Sequence, residues 1–484
     1  MSVAFQTLGC KLNQGETESI AAAFINAGFS IAADASKAEL LIINSCAVTS
    51  KAEQKGRGLI RAALRQDPSR CVIVTGCSTE LNRKSLEALD DSVQCRTPDK
   101  RRLFVVPSSP QNLIFDMPPR IVRRLARPQE NRNVKAALQD ALARICAETG
   151  GDGGGKSDGG DDINTDSTDS GTFRFETSGG IYRSRGFLKI QDGCDNSCAY
   201  CIVRIARGKA RSLPAKEVLE RLRIMEAMGM AEAVLTGVNI CRWNGGADGI
   251  KTGLPGLLQV LIAGTTEIGI RLSSLEPAVF TEDFFETLRD PRIKPHFHLS
   301  IQSGSLEILK KMRRFYDAGT ALRVIRRLRG IKDDPFIACD IITGFPGETD
   351  RHFSETLSFC EAAEFAQIHA FPFSRRPGTA AWDYTPRIPE REAEKRVHIL
   401  KTLAAKNRRL YIERWIGREI EGVCMSDAVM AAKSGVIEIL ADNYLRICAA
   451  DCSGFDARKG QRALCKITGF FDGGGRADAY GRLI

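Results

Sequence analysis

The sequence predicts an α/β chain in three parts: an N-terminal parallel-sheet domain, a partial (βα)6 barrel and a small C-terminal β-barrel. Near the N-terminus the order strand, cysteine, helix occurs three times, and strands alternating with helices make a parallel sheet with helices packed over it. From Gly186 the strand–helix alternation returns six times, which fits a partial barrel with its site at the C-terminal rim of the strands. Residues 419–484 carry short β-like runs after a long basic helix, the pattern of a small barrel. A length of 484 residues agrees with roughly three domains of about 150 residues each.

Taken in order, residues 3–8 read as a strand, Gly9-Cys10 as a turn and 14–28 as a helix that stops at Gly28. Residues 40–45 make a strand ending at Cys46, followed by a helix over 50–66; residues 71–75 make a strand ending at Gly76-Cys77, followed by a helix over 81–89. In parallel sheets functional groups collect beyond the carboxyl ends of the strands. Cys10, Cys46 and Cys77 each follow their strand directly, which makes them candidate ligands of one three-cysteine cluster assembled from distant sequence. The alternative is that small apolar cysteines pack well at strand ends. Cys71 and Cys95 hold no comparable position.

Residues 96–186 say less. A basic stretch over 120–127 precedes a helical pattern from Val134 to Glu148, and Gly150 through Gly171 holds Gly, Asp, Ser and Thr with hardly an apolar residue. Such a run cannot bury enough surface to offset its ordering entropy and reads as a disordered insert. Order is expected to resume near 173–185.

The six barrel strands are expected at 187–191, 233–237, 269–274, 296–302, 336–343 and 367–373, with helices at 215–230, 281–288, 318–330 and 351–365. Their ends carry polar or Gly-rich sequence: Thr236-Gly237, Ser273-Ser274 with Glu276, Gln302-Ser303, and Thr343-Gly344. Directly after the first strand, Cys194, Cys198 and Cys201 stand at C-x-x-x-C-x-x-C spacing. Three thiolates on one loop can hold one metal cluster, and a cubane iron–sulfur cluster offers four irons, so three local cysteines leave one iron open to another ligand. Zinc is the rival, but its usual knuckles pair cysteines at two places with a fourth Cys or His, and none follows here. Three thiols meeting by chance is the bland reading, against which the tripled short spacing argues.

Composition narrows the rest. No apolar run approaches the roughly 20 residues needed to span a bilayer, and the N-terminus lacks the basic-then-apolar layout of a signal peptide. A cytoplasmic, non-membrane protein is expected. There thiols serve metals or catalysis more often than disulfides, and 16 cysteines exceed the need of one cluster. A net charge of +10 agrees with an anionic partner or with simple solubility, and clustering of the basic residues decides between them.

The Cys194/Cys198/Cys201 spacing, with Tyr200 before the last cysteine, resembles the signature of radical S-adenosylmethionine (SAM) enzymes. The resemblance implies that the open iron is chelated by the amino and carboxylate groups of SAM and that cleavage yields a 5′-deoxyadenosyl radical. Thr7-Leu-Gly-Cys10-Lys-Leu-Asn13 with Glu16, Asn44-Ser-Cys46 and Thr75-Gly-Cys77 resemble the N-terminal domain of the methylthiotransferases within that superfamily. There the three cysteines hold an auxiliary cluster carrying the sulfur to be inserted, so two 4Fe-4S clusters and SAM are implied. Blocks at 235–239, 271–277, 302–305, 311–313, 340–349 and 374–381 resemble the same family in order. Arg204 stands where relatives commonly have proline. Among rim residues, Thr236, Ser274, Glu276, Gln302 and Gly344, with Tyr200, are the expected SAM contacts, Glu276 being the preferred acidic one.

Domains are accordingly expected at 1–106 (methylthiotransferase domain), 107–180 (insert and linker), 181–410 (radical SAM barrel) and 411–484 (small RNA-binding barrel). The long helix over 387–418 carries ten Lys/Arg against four Glu. A charge run on a helix is usually a solvated face; the tail, with its Asn443-Tyr444 pair, resembles the barrel that many RNA-modifying relatives carry, and helix and barrel are expected to grip phosphate and shape. Gly9-Cys10-Lys11-Leu12-Asn13-Gln14 with Glu16, and Thr236-Gly237-Val238-Asn239-Ile240, look closest to the branch acting on threonylcarbamoyladenosine at position 37 beside the tRNA anticodon. The implied chemistry is methylation of a sulfur on the auxiliary cluster by one SAM, hydrogen removal from C2 by a radical from a second SAM, and methylthio transfer. Expected partners are the tRNA anticodon stem-loop and an electron donor, flavodoxin-like or similar, with the chain a monomer. The competing readings are a methylthiotransferase of a ribosomal-protein aspartate or of isopentenyladenosine, and, outside the enzymes, an iron–sulfur RNA-binding protein.

Overall fold

A computed structural model describes residues 1–32, 34–67, 70–91, 101–107, 113–126, 134–149, 184–246, 253–425, 436–450, 458–471 and 477–484. The glycine-rich run over 150–171 lies outside them. The chain divides into two compact units, the first N-terminal and including Val203–Arg211, the second holding the remaining barrel segments and the C-terminus.

The first unit is built from β1 (Ser2–Thr7), α1 (Lys11–Asn26), β2 (Ser30–Ile31), β3 (Leu40–Ser45), α2 (Ser50–Gln66), β4 (Cys71–Gly76), α3 (Cys77–Asp91), β5 (Leu103–Val105), α4 (Leu113–Leu125) and α5 (Val134–Thr149). Its sheet has the order β2-β1-β3-β4-β5 and every pairing is parallel. The run Leu-Leu-Ile-Ile-Asn-Ser of β3 is buried throughout, as a strand covered on both faces must be. One face packs α1, α4 and α5 through Phe24, Ile121 and Leu142, the other packs α2 and α3 through Ile60, Leu64 and Leu86.

Two expectations change here. The domain does not stop at 106: Ile114, Phe115, Met117 and Ile121 of α4, with Leu138, Leu142 and Ile145 of α5, are core residues. Pro118 and Pro119 hide α4 from a propensity reading, since proline removes a helix donor and crowds the preceding turn; burial of the apolar face overrides that cost. α3 also starts at Cys77 itself, four residues before the expected helix, with a kink at Asn82.

In the second unit the elements are β6 (Gly186–Asp192), then α6 (Val203–Arg207), which folds with the first unit, β7 (Arg211–Ser212), α7 (Ala215–Ala227), β8 (Glu232–Gly237), α8 (Gly253–Gly264), β9 (Gly269–Leu272), β10 (Ser274–Leu275), α9 (Glu282–Leu288), β11 (His296–Gln302), α10 (Leu306–Lys311), α11 (Ala318–Ile331), β12 (Phe336–Thr343), α12 (Asp350–Ala363), β13 (Gln367–Pro372) and α13 (Glu390–Trp415). Two sheets, β7-β6-β8-β9 and β10-β11-β12-β13, make the partial barrel; β6, β8 and β9 run parallel in the first and all four strands do in the second. Alternation sets the faces: on β11, Phe297, Leu299 and Ile301 are fully covered whereas His298 and Ser300 between them are half-buried.

The C-terminal strands β14 (Glu419–Cys424), β15 (Ile437–Ala441), β16 (Arg446–Ala450), β17 (Arg462–Phe470) and β18 (Ala479–Leu483) close into a barrel in the order β14-β15-β16-β18-β17. Its turn at Asn443-Tyr444 enters the N-terminal end of the larger barrel. Tyr444, at φ 74°, stacks on His296 with ring centroids 4.0 Å apart and lies 5.3 Å from the Arg271 guanidinium. Arg271 Nη2 sits 2.6 Å from Glu232, Arg185 Nη1 pairs with the same carboxylate at 3.0 Å, and Lys294 pairs with Asp442 at 2.6 Å. Burial pushes the Glu232 carboxyl up, but Arg271 and Arg185 outweigh it and bring it down to about 2. The Asn443-Tyr444 pair is therefore spent on internal packing. The same holds for part of the basic helix: Arg396 binds Glu348 and Asp350, Arg408 binds Asp478 and Arg414 binds Asp334, while Arg418, past the helix end, binds Asp333.

Candidate active site

Strand register brings the N-terminal cysteines to one level. Thr7 lies opposite Asn44 and Asn44 opposite Thr75, while Ser45 lies opposite Gly76, so the turns bearing Cys10, Cys46 and Cys77 leave one sheet edge together. Gly9, at φ 111°, makes the closest approach: a Cβ there would stand 2.7 Å from Cys46 Cβ, too near for any side chain. Asn13 ties the turns, donating from Nδ2 to the Leu8 carbonyl at 3.0 Å and to the Ser45 carbonyl at 3.3 Å, while its Oδ1 lies 3.5 Å from Cys10 Sγ. Ser45 Oγ donates to the Thr75 carbonyl at 2.9 Å, and the Val48 amide donates to Cys46 Sγ at 3.4 Å.

The three sulfurs act on one another electrostatically, and both buried ones are hard to ionise alone. Burial pushes Cys46 up to about 12 and raises Cys77 as well, with Arg207 pulling the latter down. A buried thiol of this kind ionises when a cation takes the proton's place, because metal ligands must be deprotonated. Ala47, Ala206 and Leu81 wall Cys77 with apolar surface. Soft sulfur donors, amide donors to sulfur and a dry wall fit an iron–sulfur cluster.

In the second unit the loop after β6 is held by the side chains of Asp192 and Gln191. Asp192 accepts from Lys189 Nζ and from the Gly193 amide, each at 2.9 Å. Gln191 donates from Nε2 to the Gly193 carbonyl at 2.8 Å, and its Oε1 accepts the Asn239 amide at 2.7 Å. The Ala199 amide donates to the Met312 carbonyl at 3.0 Å. Cys194, Cys198 and Cys201 are all half-buried; the Asn196 amide donates to Cys194 Sγ at 3.4 Å, and burial raises that thiol. Among the described residues no group of His, Cys, Asp and Glu is drawn together as for a single metal ion. A multi-iron cluster keeps its ligands further apart, and three thiols on one loop fit that larger group.

Glu276 organises the rim beside this loop. Its Oε1 accepts from Asn196 Nδ2 at 3.0 Å, Asn239 Nδ2 at 3.1 Å and Arg314 Nη1 at 2.9 Å. Arg314 Nη1 also lies 3.7 Å from Cys198 Sγ, and its Nη2 donates to the Ser300 carbonyl at 2.9 Å. Arg314 was not singled out by sequence reading. Its signal lay in the adjacent Lys311-Met-Arg313 block, one residue short.

The other expected contacts stand on the cysteine loop, near strand ends or just beyond them. Tyr200 packs against a core that includes Phe345 and Met312, and burial raises its phenol. Thr236 is buried on β8, Ser274 Oγ lies 3.5 Å from His298 Nδ1, and Gln302 closes β11 in a left-handed conformation at φ 68°. Gly344, at φ 70°, gives its amide to Glu348 at 2.6 Å and abuts Ala393 of α13, where a Cβ would collide. Both the left-handed backbone and the packing call for glycine there.

The arrangement defines a class: an α/β protein whose partial barrel carries a three-cysteine loop after the first strand. The Radical SAM superfamily matches residues 188–360, and Uncharacterized protein family UPF0004 matches residues 2–96. The chain is 36% identical to the threonylcarbamoyladenosine tRNA methylthiotransferase MtaB of Treponema pallidum, covering 96% of this chain and 98% of that protein. It is 32% identical to the like-named protein of Thermotoga maritima, covering 86% and 85%. It is 28% identical to the tRNA-2-methylthio-N(6)-dimethylallyladenosine synthase of Paracoccus denitrificans, covering 86% and 84%. The chain belongs to the radical SAM methylthiotransferase family, enzymes that work with an iron–sulfur cluster and SAM.

Proposed function

We propose that this enzyme inserts a methylthio group at C2 of threonylcarbamoyladenosine at position 37, beside the anticodon of tRNA. Cys194, Cys198 and Cys201 would hold one 4Fe-4S cluster that works with SAM, and Cys10, Cys46 and Cys77 would hold a second. The observation that carries the reading is the joint one: three cysteines level at one sheet edge in a chain 36% identical, nearly end to end, to a protein named for that activity.

An aromatic C–H has no acidic proton to remove, so the bound cofactors supply radical chemistry. The chain's own residues hold and orient. Glu276, fixed by Asn196, Asn239 and Arg314, offers a carboxylate to the amino group of SAM, and Arg314 offers a cation to its carboxylate. Thr236, Ser274 and Gln302 supply hydroxyl and amide groups to the ribose, and Tyr200 fixes the cysteine loop from beneath. Proposed partners are the tRNA anticodon stem-loop and a flavodoxin-like electron donor, with the chain a cytoplasmic monomer. No helix among the described residues is long and apolar enough to cross a membrane.

Nucleoside analysis of tRNA from a deletion strain tests the substrate. The expected result is loss of methylthio-threonylcarbamoyladenosine with accumulation of its unthiolated precursor. An unchanged methylthio nucleoside rejects the assignment, and loss of the dimethylallyladenosine derivative instead moves it to that branch.

A further inference from the structure

Arg207 stands six residues past Cys201 in sequence, yet it folds into the first unit, on α6 against α3. It is 4% exposed. Its guanidinium binds three side chains of that unit, Glu16, Asn13 and Cys77, among its contacts. Nη1 and Nη2 bind the Glu16 carboxylate end-on at 2.6 and 2.9 Å, Nη2 reaches Asn13 Oδ1 at 3.4 Å, and Nε points at Cys77 Sγ at 3.0 Å. A structural ion pair needs only the Glu16 fork. The Nε–H, aimed at sulfur, is the unusual part, because a sulfur that accepts a charged donor is better suited to carry negative charge.

Resting on the assignment of Cys10, Cys46 and Cys77 as ligands, we infer that Arg207 is a positioning residue that hydrogen-bonds the Cys77 thiolate and sets the reduction potential of the cluster it holds. Glu16 fixes the guanidinium plane, and Asn13 links it to the Cys10 and Cys46 turns through the bonds already described. Outer partners of metal ligands commonly govern affinity, and hydrogen bonds to sulfur govern cluster potential. Reduction adds negative charge, so a cationic donor at one sulfur favours the reduced form. Removing it moves the potential downward. Lysine, with a compact charge and no planar fork, cannot grip both Glu16 oxygens and reach Cys77 together.

The test uses the full chain carrying C194A/C198A/C201A, reconstituted anaerobically so that iron reports the N-terminal trio alone. Iron per chain, chelator-driven iron loss and the EPR-monitored midpoint potential are compared with and without R207Q and R207K, and circular dichroism checks folding. The expected result for R207Q is a more negative midpoint and iron loss about tenfold faster or more, with R207K shifted in the same direction by less. A midpoint and iron loss equal to the parent in R207Q overturns the inference while leaving the ligand assignment intact. If R207Q fails to fold, R207K decides on the same two readouts. A folded parent that takes up no iron rejects the ligand assignment itself, and the inference with it.

Discussion

Cys194, Cys198 and Cys201 lie on one loop of eight residues, whereas Cys10, Cys46 and Cys77 reach one place only because three strand ends are level. The first trio needs its own loop and a few anchors such as the Ala199–Met312 bond. The second needs a whole sheet, two helix starts and the bridging amide of Asn13. Local sites tolerate loss of fold elsewhere; assembled sites inherit every weakness of the unit that assembles them.

The comparison breaks most sharply at the cysteines. C198A is expected to abolish 5′-deoxyadenosine formation and product alike, whereas C77A retains SAM cleavage and loses methylthio product to background. Anaerobic product analysis separates the two, and loss of SAM cleavage in C77A would collapse the distinction.

A smaller effect is expected where the second unit has its own assembled feature. Glu232→Gln leaves Arg271 and Arg185 facing an uncharged buried partner, at a cost of about 3 kcal/mol in a denaturant titration. The Glu232 carboxyl is held near 2 in the fold against an ordinary 4.5. Its contribution is therefore fully present above about pH 4.5 and is lost as pH falls through about 2, so the variant should show a flatter acid limb.

Next comes Glu276→Gln, which keeps shape but removes the charge facing Arg314. We expect the KM for SAM to rise about tenfold, with iron content unchanged; an unaltered KM would take Glu276 out of the SAM site. The smallest effect belongs to Thr49→Ala. Thr49 caps α2 just after Cys46, its Oγ1 accepting the Ala52 amide at 3.1 Å. Its loss should cost about 1 kcal/mol in thermal unfolding and slow cluster assembly on the scattered trio before it touches SAM cleavage.

The contrast also explains what the amino-acid order could reveal. The places of both trios in the fold were legible, one on a single loop and the other at three strand ends, because β-strands of pure apolar residues announce their own ends. Six barrel strands were legible for the same reason. What stayed hidden depends on tertiary choice: Pro118 and Pro119 mask α4, whose buried face alone justifies it. Arg207 looked like one more basic residue after a cysteine loop, with nothing local to say that its segment joins the other unit. Charge counting likewise could not sort the basic residues of α13: Arg396, Arg408 and Arg414 answer carboxylates far away in sequence, whereas Arg391, Lys401 and Lys406 are exposed.

Tyr444, lodged against His296 at the closed end of the larger barrel, gives the C-terminal strands a duty beyond any contact with nucleic acid. They are a stopper as well as an appendage. A truncation made to strip away tRNA recognition would uncork the catalytic half, baring Glu232, Arg271 and Lys294 to water. Dissecting recognition from catalysis in this enzyme therefore calls for surface substitutions on the intact chain.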